Sequence, residues 1–291
     1  MSNTVYRSSA GQDAIERSYR EHLQRWTTPV RQRTVPTREG ETFVLDCGPA
    51  DAPPAVLLHG AGSNSAIWHA DAPRWSLTHR LYMVDVIGEP GLSAPVRPDL
   101  NSAAHALWLD DVFDELRIDT AAIVGVSLGG WLATDYAIRR PGRVQRLALR
   151  APGGIGRQRY GAVIAALVLA PFGDRGTRTA LRIALGPGTV PDPVIDYMLL
   201  IQRNYQPRRD TLPIFSDEQL QAITAPLYVA LGAGDRLLNS RDTAARLKRL
   251  QPSASINLIA GMGHGVFEDG DDIHTFLKEG SDAKTLGGNQ S

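Results

Sequence analysis

The sequence contains a single cysteine, Cys47, and therefore cannot form an internal disulfide bond. Cys47 follows the stretch Phe43-Val44-Leu45-Asp46, which favours an unreactive thiol at the end of a strand over a nucleophile. Cysteine and histidine residues are not clustered at the spacing of metal ligands, so we expect neither a metal site nor a cofactor. The longest apolar stretch, 162–170, is much shorter than the roughly 20 residues that span a bilayer.

An excess of charge of either sign is also lacking. The 31 basic residues match 31 acidic ones, so the composition indicates no nucleic-acid partner and no anionic-membrane partner. The polar N-terminus lacks the apolar core of a signal peptide, which predicts a cytoplasmic protein. A length of 291 residues allows a substantial hydrophobic core. The sequence leaves the oligomeric state open, and a dimer is one of the options.

The most informative segment is Gly125-Val126-Ser127-Leu128-Gly129, which directly follows the apolar run 121–124 and precedes a helical pattern. A serine between a buried strand and a helix lies on a sharp turn that exposes its hydroxyl above the edge of the sheet. Gly125 and Gly129 remove side chains that would collide where the strand and the helix meet. The segment therefore predicts a nucleophile elbow with Ser127 as the nucleophile.

A serine hydroxyl needs a base, and the base needs a carboxylate that fixes its tautomer. On a sheet with such an elbow, the acid and then the histidine follow the serine in the chain. Asp235 follows the strand-like run 227–231, and His264 follows the run 256–259, each in a loop of small residues. We expect these two residues to complete a catalytic triad. An alternative for Asp235 is to cap a helix that begins near Asn239, or to pair with Arg236.

Two backbone amides are candidates for the oxyanion hole, which stabilises the charge that develops on an attacked carbonyl oxygen. The amide of Leu128 directly follows the nucleophile and opens the next helix, whose N-terminus favours an anion. The amide of Ala61 lies in the loop His59-Gly60-Ala61-Gly62, which follows a short apolar strand. We interpret His59 and Gly60 as supporting residues of this loop, with His59 bracing it through hydrogen bonds.

These motifs together resemble the α/β-hydrolase-fold serine hydrolases over nearly the whole chain, from about Thr34 to Leu277. The narrower likeness is to bacterial carboxylesterases of the naproxen-esterase type, and it rests on the following stretches: Asp51-Ala52-Pro53-Pro54, Val84-Asp85-Val86-Ile87-Gly88-Glu89 and Phe215-Ser216-Asp217-Glu218-Gln219-Leu220. Many members of the family carry Asp-x-x-Gly-His-Gly-x-Ser after the fourth strand. Here Glu89-Pro90 stands at the centre of that segment, which predicts a loop of different shape.

Alternating strand and helix patterns predict an α/β protein with an eight-stranded, mostly parallel sheet that is covered by helices on both faces. The first two strands are expected to form an antiparallel hairpin. The alternation breaks after the sixth strand, where the sequence predicts a helical lid. The expected division is an N-terminal helical extension over 1–33, a core over 34–152 and 220–279, the lid over 153–219 and a disordered tail over 280–291. The first ten residues are expected to be frayed.

The predicted activity is the hydrolysis of carboxylic esters of small molecules through an acyl-enzyme on Ser127. One alternative is a lyase, cyclase or carbon–carbon bond hydrolase in a biosynthetic pathway, because one fold hosts many chemistries. Another is a protein that binds a small ligand without turnover. We expect the arginines of the lid, including Arg208 and Arg209, to lie on its solvated surface. An inward-facing arginine would instead favour a substrate with a carboxylate.

Overall fold

The computed structural model describes residues 5–188, 190–208, 210–265 and 269–279. Eight strands form one sheet in the order β1-β2-β4-β3-β5-β6-β7-β8. The strands are β1 (Arg31–Thr37), β2 (Gly40–Cys47), β3 (Pro54–Leu58), β4 (Arg80–Val84), β5 (Ala121–Val126), β6 (Val144–Arg150), β7 (Leu227–Gly232) and β8 (Ser255–Ile259). Strand β1 pairs antiparallel with β2, and β2 pairs antiparallel with β4. The remaining neighbours pair in parallel, so the predicted eight-stranded, mostly parallel sheet is confirmed.

Helices connect the parallel strands, and one further helix precedes β1 and another follows β8. The helices are α1 (Ser9–Gln24), α2 (Ala72–Trp75), α3 (Ala104–Glu115), α4 (Leu128–Arg139), α5 (Gly161–Leu169), α6 (Gly173–Leu185), α7 (Asp192–Asn204), α8 (Asp217–Gln221), α9 (Ser240–Leu250) and α10 (Gly270–Lys278). Short 3₁₀ turns add the segments Ser65–His69, Pro141–Arg143 and Ala170–Phe172. Parallel strands need such crossovers, which place helices on the faces of the sheet.

The two faces of the sheet bury separate apolar clusters, as the alternation of side chains along a strand requires. In β3, Val56 and Leu58 face one cluster, whereas Ala55 and Leu57 face the other. The first cluster includes residues of α3, α4 and α9, and the second includes residues of α1, α2 and α10. Both faces are therefore covered, and the carboxyl ends of the parallel strands are left to carry polar side chains.

The N-terminal segment is more ordered than its sequence predicts. Val5 and Tyr6 are buried, and the Tyr6 hydroxyl donates to the carbonyl of Gly91 at 3.1 Å. Helix α1 begins at Ser9, after an N-cap in which the Ser8 hydroxyl accepts from the amide of Gly11. The Tyr19 hydroxyl of this helix donates to the buried carboxylate of Asp85 at 3.0 Å. The expectation of frayed residues is thus wrong for the described part of this segment, because Val5, Tyr6 and α1 bury apolar surface against the body of the protein.

Between β6 and β7 the structure describes four helices, α5, α6, α7 and α8, in the segment where the sequence departs from the alternating pattern. Helix α5 packs on α6, α6 on α7, and α7 on α1. Within the described residues, none of the helices combines the length and the apolar character that crossing a membrane requires. Residues 280–291, which we predicted to be disordered, lie outside the described residues.

The buried His105 predicts a measurable effect of pH on stability. Burial lowers the pKa of His105 from 6.5 to about 4, and neither ring nitrogen has a hydrogen-bond partner among the described residues. A depressed histidine pKa stabilises the folded state above pH 6.5, and this contribution is lost as pH falls toward 4. A shift of one pKa unit corresponds to about 1.4 kcal/mol, so His105 should lower the free energy of unfolding of the wild type by about 3 kcal/mol between pH 7 and pH 4. His105→Leu should not show this part of the decrease. Urea unfolding of both proteins at pH 7 and pH 4 measures this difference.

The difference between the two proteins is the informative quantity, because other groups titrate in the same range. Burial raises the pKa of Asp269 to about 6, which contributes in the opposite direction between about pH 4 and 6. That contribution is common to the wild type and the variant. His69→Phe, which changes an exposed histidine, serves as the control. Equal pH dependence in the wild type and His105→Leu would show that His105 does not carry the effect.

Candidate active site

The segment around Ser127 forms a tight turn between a strand and a helix. Strand β5 ends at Val126, helix α4 begins at Leu128, and Ser127 between them has φ +52° and ψ −107°. This conformation is strained for a residue with a side chain. A Cβ atom at Gly125 would lie 2.4 Å from the Gly129 carbonyl oxygen, and one at Gly129 would lie 2.1 Å from the Leu58 carbonyl oxygen. Only glycine fits at these two positions, which is the packing that the sequence motif predicts.

His264 lies within hydrogen-bonding distance of both Ser127 and Asp235, although the three residues are far apart in the sequence. His264 Nε2 is 3.0 Å from Ser127 Oγ, and His264 Nδ1 is 2.8 Å from Asp235 Oδ2. With the Nδ1 proton donated to the carboxylate, Nε2 carries the lone pair that faces the hydroxyl. The chain thus brings the predicted nucleophile, base and orienting acid together at the carboxyl ends of β5, β7 and β8.

The carboxylate of Asp235 is held on both of its oxygens. Oδ1 accepts from the amides of Leu237 and Leu238 at 2.7 and 2.9 Å, which leaves Oδ2 to His264. Asp235 is almost fully buried, so its orientation is fixed by these three bonds. The alternative of a helix cap is wrong, because α9 begins at Ser240 and its N-cap is Asn239.

The two predicted oxyanion donors lie next to Ser127, one in the residue that follows it and one in a neighbouring loop. A Cβ atom at Gly60 would lie 3.4 Å from the Ser127 Cβ, which places the loop of Ala61 directly beside the serine. Within the residues that the structure describes, the amides of Ala61 and Leu128 donate no hydrogen bond to another group. Leu128 is the first residue of α4, where amides have no acceptor inside the helix. Both N–H groups are therefore available to a ligand.

His59 contacts the loop and not the serine. Its Nε2 accepts from the amide of Val86 at 2.9 Å, so the proton lies on Nδ1, which donates to the carbonyl of Gly60 at 2.9 Å. The ring is fully buried, and burial lowers the pKa of His59, which keeps the imidazole neutral. These are the contacts of a residue that braces the loop rather than one that moves a proton to a substrate.

Glu89 is a residue of this site to which the sequence analysis gives no role. It is fully buried, and its Oε2 accepts from the amide of Gly62 and from the hydroxyl of Tyr205, both at 2.7 Å. Burial raises the pKa of Glu89, while these two hydrogen bonds and nearby arginines lower it. Glu89 thereby joins the loop of Ala61 to the end of α7. The sequence signal that could have indicated this role is the single charged residue, Glu89, in the segment 86–92, which otherwise contains only glycine, proline and apolar residues.

This geometry predicts that Glu89 positions the loop of Ala61. Glu89→Ala removes the acceptor of the Gly62 amide and should lower kcat for an ester by at least about tenfold. The loss should be smaller than the 10²–10³-fold that removing an oxyanion donor costs. Glu89→Gln, which keeps an acceptor oxygen, is the matched control and should retain activity within a few-fold. Steady-state kinetics of both variants measure the effect, and equal losses in the two would contradict a role through hydrogen-bond acceptance.

Arg150 lies at the end of β6, where the sequence offers no carboxylate. The Arg150 carbonyl accepts from the amide of Ser127 at 2.9 Å, and the guanidinium is 2.6 Å from Asp71 and 2.7 Å from Asp269. Its side chain lies against the rings of Trp68 and Trp75. This buried cation therefore joins the elbow to the segments of Asp71 and Asp269. Removing it would leave two buried carboxylates without their counter-charge, which is strongly destabilising.

Arg208 corrects one expectation about the arginines between β6 and β7. Its side chain is only 6% exposed, and Nη2 donates to the carbonyl of Pro98 at 2.8 Å. The expectation of a solvated surface position is therefore wrong for Arg208, although it holds for the exposed Arg157, Arg159 and Arg175. Arg209 lies outside the described residues.

Comparison with known sequences identifies the family. The profile of the Alpha/beta hydrolase family matches residues 55–275 of this chain. An uncharacterized carboxylesterase, nap, from Bacillus subtilis is 30% identical over 255 residues, which are 85% of this chain and 85% of that protein. Carboxylesterase YbfK from the same organism is 28% identical over 261 residues, covering 85% of this chain and 86% of that protein.

Solved structures show the same likeness. Carboxylesterase CesB (YbfK) from Bacillus subtilis has a TM-score of 0.80 at 26% identity, covering 92% of this chain and 97% of that chain. Naproxen esterase (carboxylesterase NP) from Bacillus subtilis has a TM-score of 0.79 at 26% identity, covering 95% of this chain and 99% of that chain. The predicted resemblance is confirmed. The chain therefore belongs to the alpha/beta hydrolase family and is a carboxylesterase-like member of it.

Proposed function

We propose that this protein is a serine esterase that hydrolyses carboxylic esters of small molecules through an acyl-enzyme on Ser127. The observation that carries the proposal is the line of hydrogen-bonding distances from Ser127 Oγ to His264, 3.0 Å, and from His264 to Asp235, 2.8 Å. This arrangement is a base poised on a nucleophile and oriented by a buried carboxylate. The carboxylesterases that the chain resembles in sequence and structure support the same reaction class.

In the proposed first step, Ser127 Oγ forms a bond to the acyl carbon of the ester while His264 Nε2 takes the hydroxyl proton. Negative charge develops on the carbonyl oxygen, and the amides of Ala61 and Leu128 stabilise it. The bond from the acyl carbon to the alcohol oxygen then breaks, and His264 returns the proton to the leaving alcohol. The product is an ester between the acyl group and Ser127.

In the second step, His264 takes a proton from a water molecule that attacks the acyl carbon. The bond to Ser127 Oγ breaks, and the proton returns to the serine, which releases the carboxylic acid. Asp235 holds the imidazole in the required tautomer and stabilises the imidazolium in both steps. Strain at Ser127, whose φ is +52°, keeps the hydroxyl at the edge of the sheet throughout.

We further propose that the segment 153–219 acts as a lid over this site. The carbonyl of Leu185, at the end of α6, accepts from the amide of His264 at 2.7 Å. Arg159, just before α5, donates through Nη1 to the carbonyl of Asp235 at 2.8 Å. The segment is therefore bonded to the loops of both the proposed base and the proposed acid, so its position and the geometry of the site depend on each other.

The first test is a panel of chromogenic esters of graded acyl length. The second is labelling by an organophosphonate, a reagent that forms a covalent bond with the activated serine of serine hydrolases. We expect turnover of at least one ester, and a label that mass spectrometry locates on Ser127. The proposal would be overturned if the folded protein hydrolysed no ester in the panel and was not labelled by the organophosphonate. The acyl length that gives the highest kcat/KM would show how much space the site offers.

A second candidate is the cleavage of a carbon–carbon bond. The observation that favours it is a relative from Cupriavidus pinatubonensis, 27% identical over 274 residues, which are 84% of this chain and 92% of that protein. That relative is a 2-hydroxy-6-oxononadienedioate/2-hydroxy-6-oxononatrienedioate hydrolase. Turnover of 2-hydroxy-6-oxononadienedioate by a protein that hydrolyses no ester in the panel would favour this candidate over the esterase.

A further inference from the structure

One helix of the segment between β6 and β7 exposes an apolar surface. Helix α5 contains no charged residue, and of its nine residues only Ala162 is buried. Six large apolar side chains on this helix and its flanks, which we call the α5 face, are between 50% and 71% exposed: Tyr160, Val163, Ile164, Leu167, Val168 and Phe172. A helix that is apolar on all sides is ordinarily buried in a protein or in lipid. Contiguous exposed apolar surface of this kind marks an interaction site.

The side chains of the α5 face lie together on one side of the helix. Positions 160, 163, 164, 167 and 168 follow the spacing of three and four residues that forms a single stripe. Ala162 points to the opposite side, toward α6, which is the helix on which α5 packs. The stripe therefore points away from the body of the protein, and the contact with α6 leaves it open.

Charge around the α5 face is mostly positive, and the exposed Asp174 that follows Phe172 is paired with Arg203. The sequence from 136 to 173 contains no aspartate or glutamate. Exposed arginines stand at both ends of the stripe, with Arg157 and Arg159 before α5 and Arg175 after it. Arg157 is 81% exposed although it lies 3.4 Å from Asp242. The balanced charge of the whole chain thus conceals a local surface that is apolar at its centre and cationic at its edges.

This combination distinguishes between the two partners that could cover such a face. A second copy of the chain in a two-fold dimer would place the face against itself and bring the arginines at its edges close to those of the other copy. A nine-residue helix is also only about 14 Å long. It offers much less surface than the roughly 800 Å² per partner of a standard stable interface. A lipid surface with anionic headgroups meets both requirements, since it accepts apolar side chains and attracts flanking arginines.

We propose that the α5 face docks on an anionic lipid surface and presents the active site to esters dissolved there. Tyr160 and Phe172, at the two ends of the stripe, suit the headgroup region, where aromatic side chains accumulate. The helix is far too short to span the bilayer, so it lies in the interface. Arg159 lies just before α5 and is bonded to the loop of Asp235, and Leu185 ends α6 and is bonded to the loop of His264. Docking of α5 therefore brings the site close to the lipid.

The statement about the substrate rests on the proposed esterase function, whereas the docking itself does not. The test is cosedimentation of the full chain with vesicles of phosphatidylglycerol and with vesicles of phosphatidylcholine. We expect binding to the anionic vesicles, at least tenfold weaker binding to the zwitterionic ones, and a decline with added salt. The double variant Leu167→Asp/Val168→Asp should bind the anionic vesicles at least tenfold more weakly.

The control is Leu77→Asp, which places one aspartate at an exposed leucine between α2 and β4, outside the α5 face. It should bind vesicles as the wild type does. The variant Arg157→Gln/Arg175→Gln removes two of the flanking positive charges and leaves the apolar side chains of the α5 face unchanged. It should weaken binding to anionic vesicles about tenfold or more and leave hydrolysis of a water-soluble ester unchanged. This second variant keeps the proposal testable if the aspartate variant does not fold.

The outcomes separate the two proposals. Ester turnover without vesicle binding would overturn the docking and leave the esterase. Vesicle binding without ester turnover would support the docking and remove the proposed substrate. A wild type that is dimeric by light scattering, and that the aspartate variant converts into a monomer, would overturn the docking in favour of a second copy. Vesicle binding that survives both double variants would overturn it as well.

Discussion

Replacing Ser127 by alanine is expected to lower kcat/KM for a chromogenic ester by at least about 10³-fold. The substitution removes the Oγ atom that lies 3.0 Å from His264 Nε2, and no other hydroxyl takes its place there among the described residues. Alanine keeps the Cβ atom, so the strained backbone at φ +52° gains no new freedom and the turn should persist. The activity that remains would come from substrate binding and from the amides of the proposed oxyanion hole. The measurement is steady-state kinetics of the wild type and the variant on the same ester.

Two further observations make this result specific to the nucleophile. The alanine variant should not be labelled by the organophosphonate, and its urea unfolding should match that of the wild type. Ser63→Ala, in the neighbouring loop, is the matched control, because the one hydrogen bond of the Ser63 hydroxyl among the described residues is to the carbonyl of Asn64, at 3.4 Å. It should keep activity within a few-fold. A Ser127→Ala variant that keeps a tenth or more of the wild-type activity would exclude Ser127 as the nucleophile.

The features that the sequence predicts well are those set by local patterns. The apolar run 121–124 was expected to form a buried strand and lies in β5, because a short apolar run followed by glycine and serine has few other solutions. The elbow follows for the same reason, since the glycines at 125 and 129 fit contacts that any larger residue would break. Helix ends are less well predicted. Helix α3 begins at Ala104 after the N-cap residue Ala103, which makes no capping hydrogen bond through its side chain, so no capping motif marks this start in the sequence.

The features that the sequence does not predict depend on contacts between distant residues. Glu89 is bonded to Tyr205, 116 positions away, and Arg208 is bonded to Pro98, 110 positions away. Neither burial follows from the local pattern, which suits a solvent-exposed charge equally well. Arg150 is similar, because its carboxylate partners come from two other parts of the chain. Such buried charges require the tertiary structure to bring their partners together, so composition and periodicity do not reveal them.

The structure also makes a sharp prediction for Asp235→Asn. The amides of Leu237 and Leu238 both donate to Oδ1, so the new side chain must place its carbonyl oxygen there. The NH₂ group then occupies the position of Oδ2 and faces His264 Nδ1, which is 2.8 Å away. Because an amide nitrogen can only donate, Nδ1 must give up its proton and accept. The imidazole proton moves to Nε2, which can no longer take a proton from Ser127.

We therefore expect kcat to fall by about 10⁴-fold, as loss of the correct tautomer costs in triads of this kind. KM and the urea-unfolding midpoint should change little, because the bonds to the loop amides are kept. Asp242→Asn is the matched control, since Asp242 accepts from the amide of Arg157 at 2.9 Å and has no contact with His264. Its activity should stay within a few-fold of the wild type. An Asp235→Asn variant with kcat within tenfold of the wild type would show that His264 does not depend on this carboxylate, and the acid would then have to be sought elsewhere.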